Sequence, residues 1–337
     1  MDLISVIIPM HNQEKFIENC LKSLQAQTYS DLEIIVVDDA SEDRSRDIVE
    51  RMASEDKRIR LICQEKGTAA STRNNGLRNM SGECFTFVDA DDFMLPDYIG
   101  HLKKRMDETG TDLVITGITT CKLQEDGTYQ TLSEKIPQHY ERFVHEEWAA
   151  RSGEAAGKLY RRSLFDKYQV VMMDDGKNSY GEDMPFALFY FSMCDKISVL
   201  PEAGYMYVRH GSSTMANVRS NHELKLPYSA IEETIKMIAD MGGPVNGKDF
   251  YEWYLLRILS TFIDLSRRKP KEDVDSLSKY IYHIVGSYFP DVKKNRLVKL
   301  SADIDVPWMQ KMAVAVLVRM YRMKLLKPFL TCYCRFG

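Results

Sequence analysis

Three carboxylates fall within four residues at Asp89-Ala90-Asp91-Asp92, directly after the alternating run Phe85-Thr86-Phe87-Val88. A strand that ends in such a cluster presents acidic side chains at the crevice where open α/β sheets bind ligands. A D-x-D pair suits magnesium or manganese, hard cations that take one or two carboxylates and fill their other positions with substrate phosphates. The chemistry such a pair can do is that of a metal-bridged nucleotide. Alone, the same cluster is equally an acidic turn or a helix cap, so its meaning depends on what else reaches that edge.

Two further acidic stretches sit at element ends. Asp38-Asp39 closes the apolar run Leu32 to Val37, and Gly181-Glu182-Asp183 opens a helix with Phe186, Phe189, Tyr190 and Met193 on one side. At a helix N-terminus the ionised form of Asp183 is stabilised, although an Asp two residues before Pro185 is also an ordinary cap. The elements that must carry these groups follow a βαβαβ rhythm, hence a doubly wound, mostly parallel α/β sheet. Residues 3 to 8 read as a buried strand ended by Pro9, and Asn12 as the cap of a helix bearing Phe16, Ile17, Cys20, Leu21 and Leu24. A helix with Ile48, Val49 and Met52, a strand Ile59 to Ile62, a short helix opening over Gly67 to Gly76 and a strand Cys84 to Val88 follow. Asp112 to Ile118 reads as a strand, Asp126-Gly127 as a hairpin tip, 133 to 157 as loop and short helix, and Lys196 to Leu200 and Tyr205 to His210 as strands.

At 337 residues the chain is long for one core, which predicts a sheet domain over 1–220 and a helical region over 221–337. An apolar share of 44% and a charged share of 28% are those of a globular protein, and a net charge of −4 gives no reason to expect nucleic acid as a partner. The seven cysteines are scattered, several inside apolar runs, which favours a reducing compartment. With no basic leader before the first strand and no run long enough to span a bilayer, a cytoplasmic location is expected.

Taken in order, Ser5-Val6-Ile7-Ile8-Pro9 with Asn12, Val37-Asp38-Asp39-Ala40-Ser41 with Asp43, Arg73-Asn74-Asn75-Gly76-Leu77, Gly82-Glu83 before Phe87 to Asp92, and Gly181-Glu182-Asp183 resemble the family 2 glycosyltransferases, inverting enzymes of the GT-A fold. The resemblance spans about residues 3 to 215. It implies a UDP-sugar donor, a Mn2+ or Mg2+ ion, and a hydroxyl acceptor on a glycan or a lipid-linked sugar. It assigns the nucleotide pocket to Pro9, His11, Asn12, Glu14, Asp38 and Asp39, with Asp39 reading the uracil ring, and the diphosphate to Arg73. Asp91 and, with it, Asp89 would bind the metal, Asp89 also contacting the donor's ribose or sugar side; Ala90 would line the donor pocket, Asp92 would serve the metal through water, and Asp183 would be the base. His210 would reach the metal or the diphosphate. The chain departs from the family's usual residues at His11, Lys66 and Thr72.

Two rival functions remain at this stage. A sugar-nucleotidyltransferase would want a glycine-rich phosphate loop after the first strand, where this chain has Pro9-Met10-His11-Asn12. A non-catalytic glycan-binding or scaffold protein would not need Asp91 and Asp183 together. The aromatics after 221 read as the core of a helical unit. Residues 307 to 337 are basic and apolar without an acidic residue, the pattern of a peripheral helix attracted to the inner face of a membrane, or of a segment docked on protein.

Overall fold

The structure is a computed structural model that describes residues 2–124, 126–136, 155–172, 174, 183–211, 228–244, 248–266, 271–301 and 308–336. One sheet organises it, in the order β3 (Ile59–Gln64), β2 (Leu32–Asp39), β1 (Ile4–Met10), β4 (Cys84–Phe87), β8 (Lys158–Arg161), β6 (Leu113–Leu123), β9 (Ile197–Arg209) and β5 (Phe93–Met94), with β7 (Tyr129–Lys135) paired to the far part of β6. The strands β1 (Ile4–Met10), β2 (Leu32–Asp39), β3 (Ile59–Gln64) and β4 (Cys84–Phe87) are parallel. Their crossovers are α1 (Ile17–Gln25), α2 (Ser45–Glu55) and α3 (Ala69–Asn79). Beyond β4 the sheet turns mixed. The strand β8 (Lys158–Arg161) is antiparallel to both β4 and β6 (Leu113–Leu123), and β6 is parallel to β9 (Ile197–Arg209).

Although residues 4 to 10 look uniformly apolar, their alternation separates two cores. Ile4, Val6, Ile8 and Met10 pack with α1, α2 and α4 (Tyr98–Thr109) on one face. Ile7 points to the other, with Ile35, Val37, Phe85 and Phe87. That second core takes in α6 (Asp183–Met193) and continues without a break into the C-terminal helices α7 (Tyr228–Asp240), α8 (Lys248–Ser266) and α9 (Lys271–Tyr288). The last two helices, α10 (Trp308–Arg322) and α11 (Leu326–Phe336), add Val314, Leu317, Val318, Leu326 and Leu330 to it. The basic tail is thus held against protein along one side.

Several expectations are corrected. Pro9 does not end the first strand, which runs on to Met10 with Pro9 opposite Val37. Asn12 does not cap α1, whose N-cap position is Phe16 without a side-chain cap bond. The segments Lys196 to Leu200 and Tyr205 to His210 are one strand, β9, interrupted where its register on β6 shifts. There Gly204 admits the Tyr98 ring, since a Cβ would fall 2.4 Å from Tyr98 Cδ2. The hairpin at Asp126-Gly127 joins β6 to β7 (Tyr129–Lys135), so residues 133–135 are strand, while 137–154 lie outside the described residues.

Close packing also accounts for two glycine positions. Gly76 lets α3 lie directly on β1, where a Cβ would meet Ile7 Cγ2 at 2.3 Å. Gly82 sits against the Leu3 carbonyl and Ser5, and its N–H, with the Ser81 N–H and hydroxyls of Ser5 and Ser81, converges on the Glu33 carboxylate. Burial pushes the Glu33 carboxyl up, but these donors outweigh it and leave it below the usual glutamate range. This cluster fixes where β4 enters the sheet, and hence where Asp89 leaves it.

Candidate active site

Three loops meet at the C-terminal ends of β1, β2 and β4. The first two are laced together by side-chain bonds to the backbone. The Asn12 N–H donates to Ser41 Oγ at 3.0 Å, the Glu42 N–H to Asn12 Oδ1 at 2.8 Å, and the Ser41 N–H to Asp38 Oδ1 at 3.1 Å. Asn12 and Ala40 both adopt left-handed backbone, with φ of 53° and 54°, an uncommon conformation for residues with a Cβ that concentrates at functional sites. Glu14 accepts from Arg44 Nε at 3.2 Å while its own N–H donates to Asp43. His11 is half-buried beside Asn12, with Nε2 3.2 Å from Asn12 Nδ2.

Asp39, nearly buried at the end of β2, faces the start of α3. Its Oδ1 accepts from the Gly67 N–H at 2.7 Å and from Gln64 Nε2 at 2.9 Å, and its Oδ2 from Lys66 Nζ at 2.9 Å. Burial raises this carboxyl, but Lys66, Gln64 and Gly67 together bring it below the usual aspartate range, so it stays ionised. Lys66, the departure from the family pattern, is therefore the counter-ion of the residue expected to read the base.

The acidic cluster divides by direction. Asp89 is the most open, with its Oδ1 2.7 Å from Arg73 Nη2 on α3. Asp91 lies 2.8 Å from His210 Nε2, and the His210 ring stacks on Phe16 with centroids 4.3 Å apart. The last strand thus delivers His210 onto the D-x-D pair; Ser212, beyond it, lies outside the described residues. Burial and the neighbouring Asp89 charge raise the Asp91 carboxyl, with His210 opposing. Asp92 turns inward, at 1% exposure. Its oxygens accept from Tyr205 OH at 2.6 Å and the Val208 N–H at 2.8 Å, and Tyr205 OH also accepts from the Asp89 N–H at 3.1 Å. Burial, then Asp89 and Asp91, push Asp92 well up. These bonds tie the acidic loop to β9.

Asp183 heads α6 beside the same strand end. Its Oδ2 accepts from the Ala155 N–H at 3.2 Å, and Phe186, in the first turn of α6, packs edge-on to Phe87 with centroids 5.7 Å apart. Gly181 and Glu182 lie outside the described residues. Among the described residues no three His, Cys, Asp or Glu side chains form a ready metal cage. The donor set nevertheless fits a cation shared with a diphosphate, because Asp89 and Asp91 are like charges whose mutual repulsion such an ion relieves.

Asn74 and Tyr205 were not legible as site residues. Asn74 is buried and forms a two-way clamp on the Met172 backbone, its Nδ2 donating to the carbonyl at 2.7 Å and its Oδ1 accepting from the N–H at 2.7 Å. It stands between Ala70 and Leu77 on the buried side of α3, so an amide at a core position was the available signal.

Residues 5–169 match the family described as Glycosyl transferase family 2. Over 257 residues the chain is 32% identical to glycosyltransferase GlyA of Streptococcus pneumoniae, covering 72% of this chain and 36% of that protein. It is 34% identical over 224 residues to the uncharacterized glycosyltransferase EpsJ of Bacillus subtilis, covering 63% and 62% respectively. The chain thus spans less than two thirds of either relative. Among solved structures, Staphylococcus aureus TarS 1-349 in complex with UDP-GlcNAc aligns with a TM-score of 0.72 at 20% identity, over 98% of this chain and 90% of that one. That likeness is one of fold.

Proposed function

Because the chain belongs to the family 2 glycosyltransferases, we propose that it transfers a sugar from a UDP-sugar to a hydroxyl of a glycan or lipid-linked acceptor, with inversion, in the building of a surface polysaccharide. The observation that carries this reading is the end of β4, where Asp89 meets Arg73 and Asp91 meets His210, and where Phe186 of the helix headed by Asp183 packs on Phe87. The UDP-GlcNAc complex of TarS supports a donor of this chemical class.

In this reading Asp39 accepts from the N3–H of uracil, the half-buried His11 packs on the base, and Pro9, Asn12, Glu14, Asp38 and Ala90 shape the pocket wall. Asp91, with Asp89 and His210, would hold a Mn2+ or Mg2+ ion, which when bound supplies Lewis-acid stabilisation of the departing diphosphate. Arg73, whose Nη2 donates to Asp89 at 2.7 Å, would face the phosphate oxygens from α3. Asp183 takes the proton from the acceptor hydroxyl as its oxygen bonds to the anomeric carbon. The bond from that carbon to the diphosphate oxygen breaks on the opposite face, and UDP leaves with the electron pair. A sheet domain over 1–220 with a helical region over 221–337, and a peripheral position at the inner face of the cell membrane, belong to the same proposal. UDP release from a panel of UDP-sugars with Mn2+ or Mg2+ tests it, and absence of release with every donor and acceptor class would overturn it.

A further inference from the structure

The segment 308–336 carries Lys311, Arg319, Arg322, Lys324, Lys327 and Arg335 and no acidic residue, in a chain whose net charge is −4. Such segregation is not needed for docking on protein, which uses only one side of α10. Val314, Leu317 and Val318 are buried there. The opposite side is also apolar but open: Trp308 is 59% exposed, Met309 75%, Met312 42%, and Met323, just past the helix end, 53%. Trp308, Met312 and Arg319 recur at helical spacing, so they form one row along α10. Lys327 is paired with Asp275, whereas Arg319, Arg322 and Lys324 are exposed.

We propose that this outer face of α10 is a docking surface for an anionic lipid bilayer. The helix would lie in the headgroup plane, with Trp308, Met309 and Met312 entering the acyl boundary and Arg319, Arg322 and Lys324 meeting lipid phosphates. Contiguous exposed apolar side chains mark a contact surface, and the flanking charge selects its partner. A second copy of the chain would cover the apolar row, but a self-complementary pairing brings the same face twice, and a segment with no acidic residue offers Arg319, Arg322 and Lys324 no opposite charge. An anionic bilayer satisfies both. No described helix is long and apolar enough to cross a membrane, so the contact is a surface one. The inference extends the peripheral position proposed above, and is independent of the transfer chemistry.

The test is co-sedimentation of the full chain with vesicles of phosphatidylcholine alone or with phosphatidylglycerol, at low and high salt. Partition onto the anionic vesicles that falls with salt is expected. Met309→Glu/Met312→Glu, at exposed positions, should lower that partition roughly tenfold or more without changing the thermal midpoint. Arg319→Gln/Arg322→Gln should abolish the preference for phosphatidylglycerol. Absence of partition by the parent, or equal partition by the methionine variant, would overturn the proposal. So would a lipid-free dimer, seen by sedimentation, that the methionine variant dissociates. UDP release measured without vesicles separates the two readings: partition with no release leaves this surface standing and removes the transferase reading, and release with no partition does the reverse.

Discussion

Replacing Asn74 by alanine removes both hydrogen bonds to Met172 and leaves that residue's N–H and C=O buried without their side-chain partner. Each such group costs about 1–3 kcal/mol, so a loss of about 2–4 kcal/mol in unfolding free energy is expected, allowing for partial rehydration. Urea unfolding followed by tryptophan fluorescence reads it. Because Met172 lies on the path from α5 (Arg162–Tyr168) to Asp183, transfer turnover should fall more than donor affinity. Asn74→Asp adds a signed pH test. Its carboxylate would face the Met172 carbonyl in a buried setting, so its folded pKa is raised above the unfolded value. The protonated form can donate as the amide did. The deficit of Asn74→Asp against the parent is therefore largest above that raised pKa and shrinks as pH falls through it. A loss in Asn74→Ala below about 0.5 kcal/mol, the range of ordinary surface changes, would refute the clamp.

Three other outcomes follow from the packing and charges. Gly76→Ala forces a methyl onto Ile7 and should cost about 1–3 kcal/mol, read in the same urea titration; no change would mean that α3 can lift off β1 freely. Glu33 has a folded pKa below its ordinary value of 4.5, so its contribution to stability is complete above that value and is lost as pH falls through the lower folded one. Glu33→Gln should flatten this acid limb of the unfolding midpoint below about pH 4.5, and parallel limbs would count against the cluster. His210→Ala should raise the Mn2+ concentration for half-maximal UDP release about 10–100-fold, as loss of a group supporting a metal carboxylate does, and an unchanged concentration would detach His210 from that role.

The parallel sheet was legible because β1, β2 and β4 are short apolar runs, the latter two leading into acidic residues, and such patterns require no long-range information. Local signals failed where a distant partner decides. Asn12 has the side chain of a helix cap, yet Ser41 and Glu42 on the neighbouring loop claim its backbone and amide. Asp92 reads as one more carboxylate until Tyr205 and Val208, more than a hundred residues on, draw it inward. The resemblance alone tied His210 to the metal or diphosphate; what sets it against Asp91 is the register of β9 on β6 and β5 (Phe93–Met94). The tail's basic and apolar composition was visible, but which of its residues are buried depends on the surface that α8 and α9 provide.

The central claim is that Asp183 takes the acceptor's proton while Asp91 supports the departing diphosphate. The most direct measurement is UDP release and sugar transfer by the parent, Asp183→Asn and Asp91→Ala, with a UDP-sugar, Mn2+ and an accepting hydroxyl, alongside UDP binding by calorimetry. Asp183→Asn should bind UDP as the parent does yet lose transfer by at least about a hundredfold, the usual scale of a missing general base. Asp91→Ala should lose both transfer and the Mn2+ dependence of UDP binding. Transfer by Asp183→Asn at the parent's rate would contradict the account.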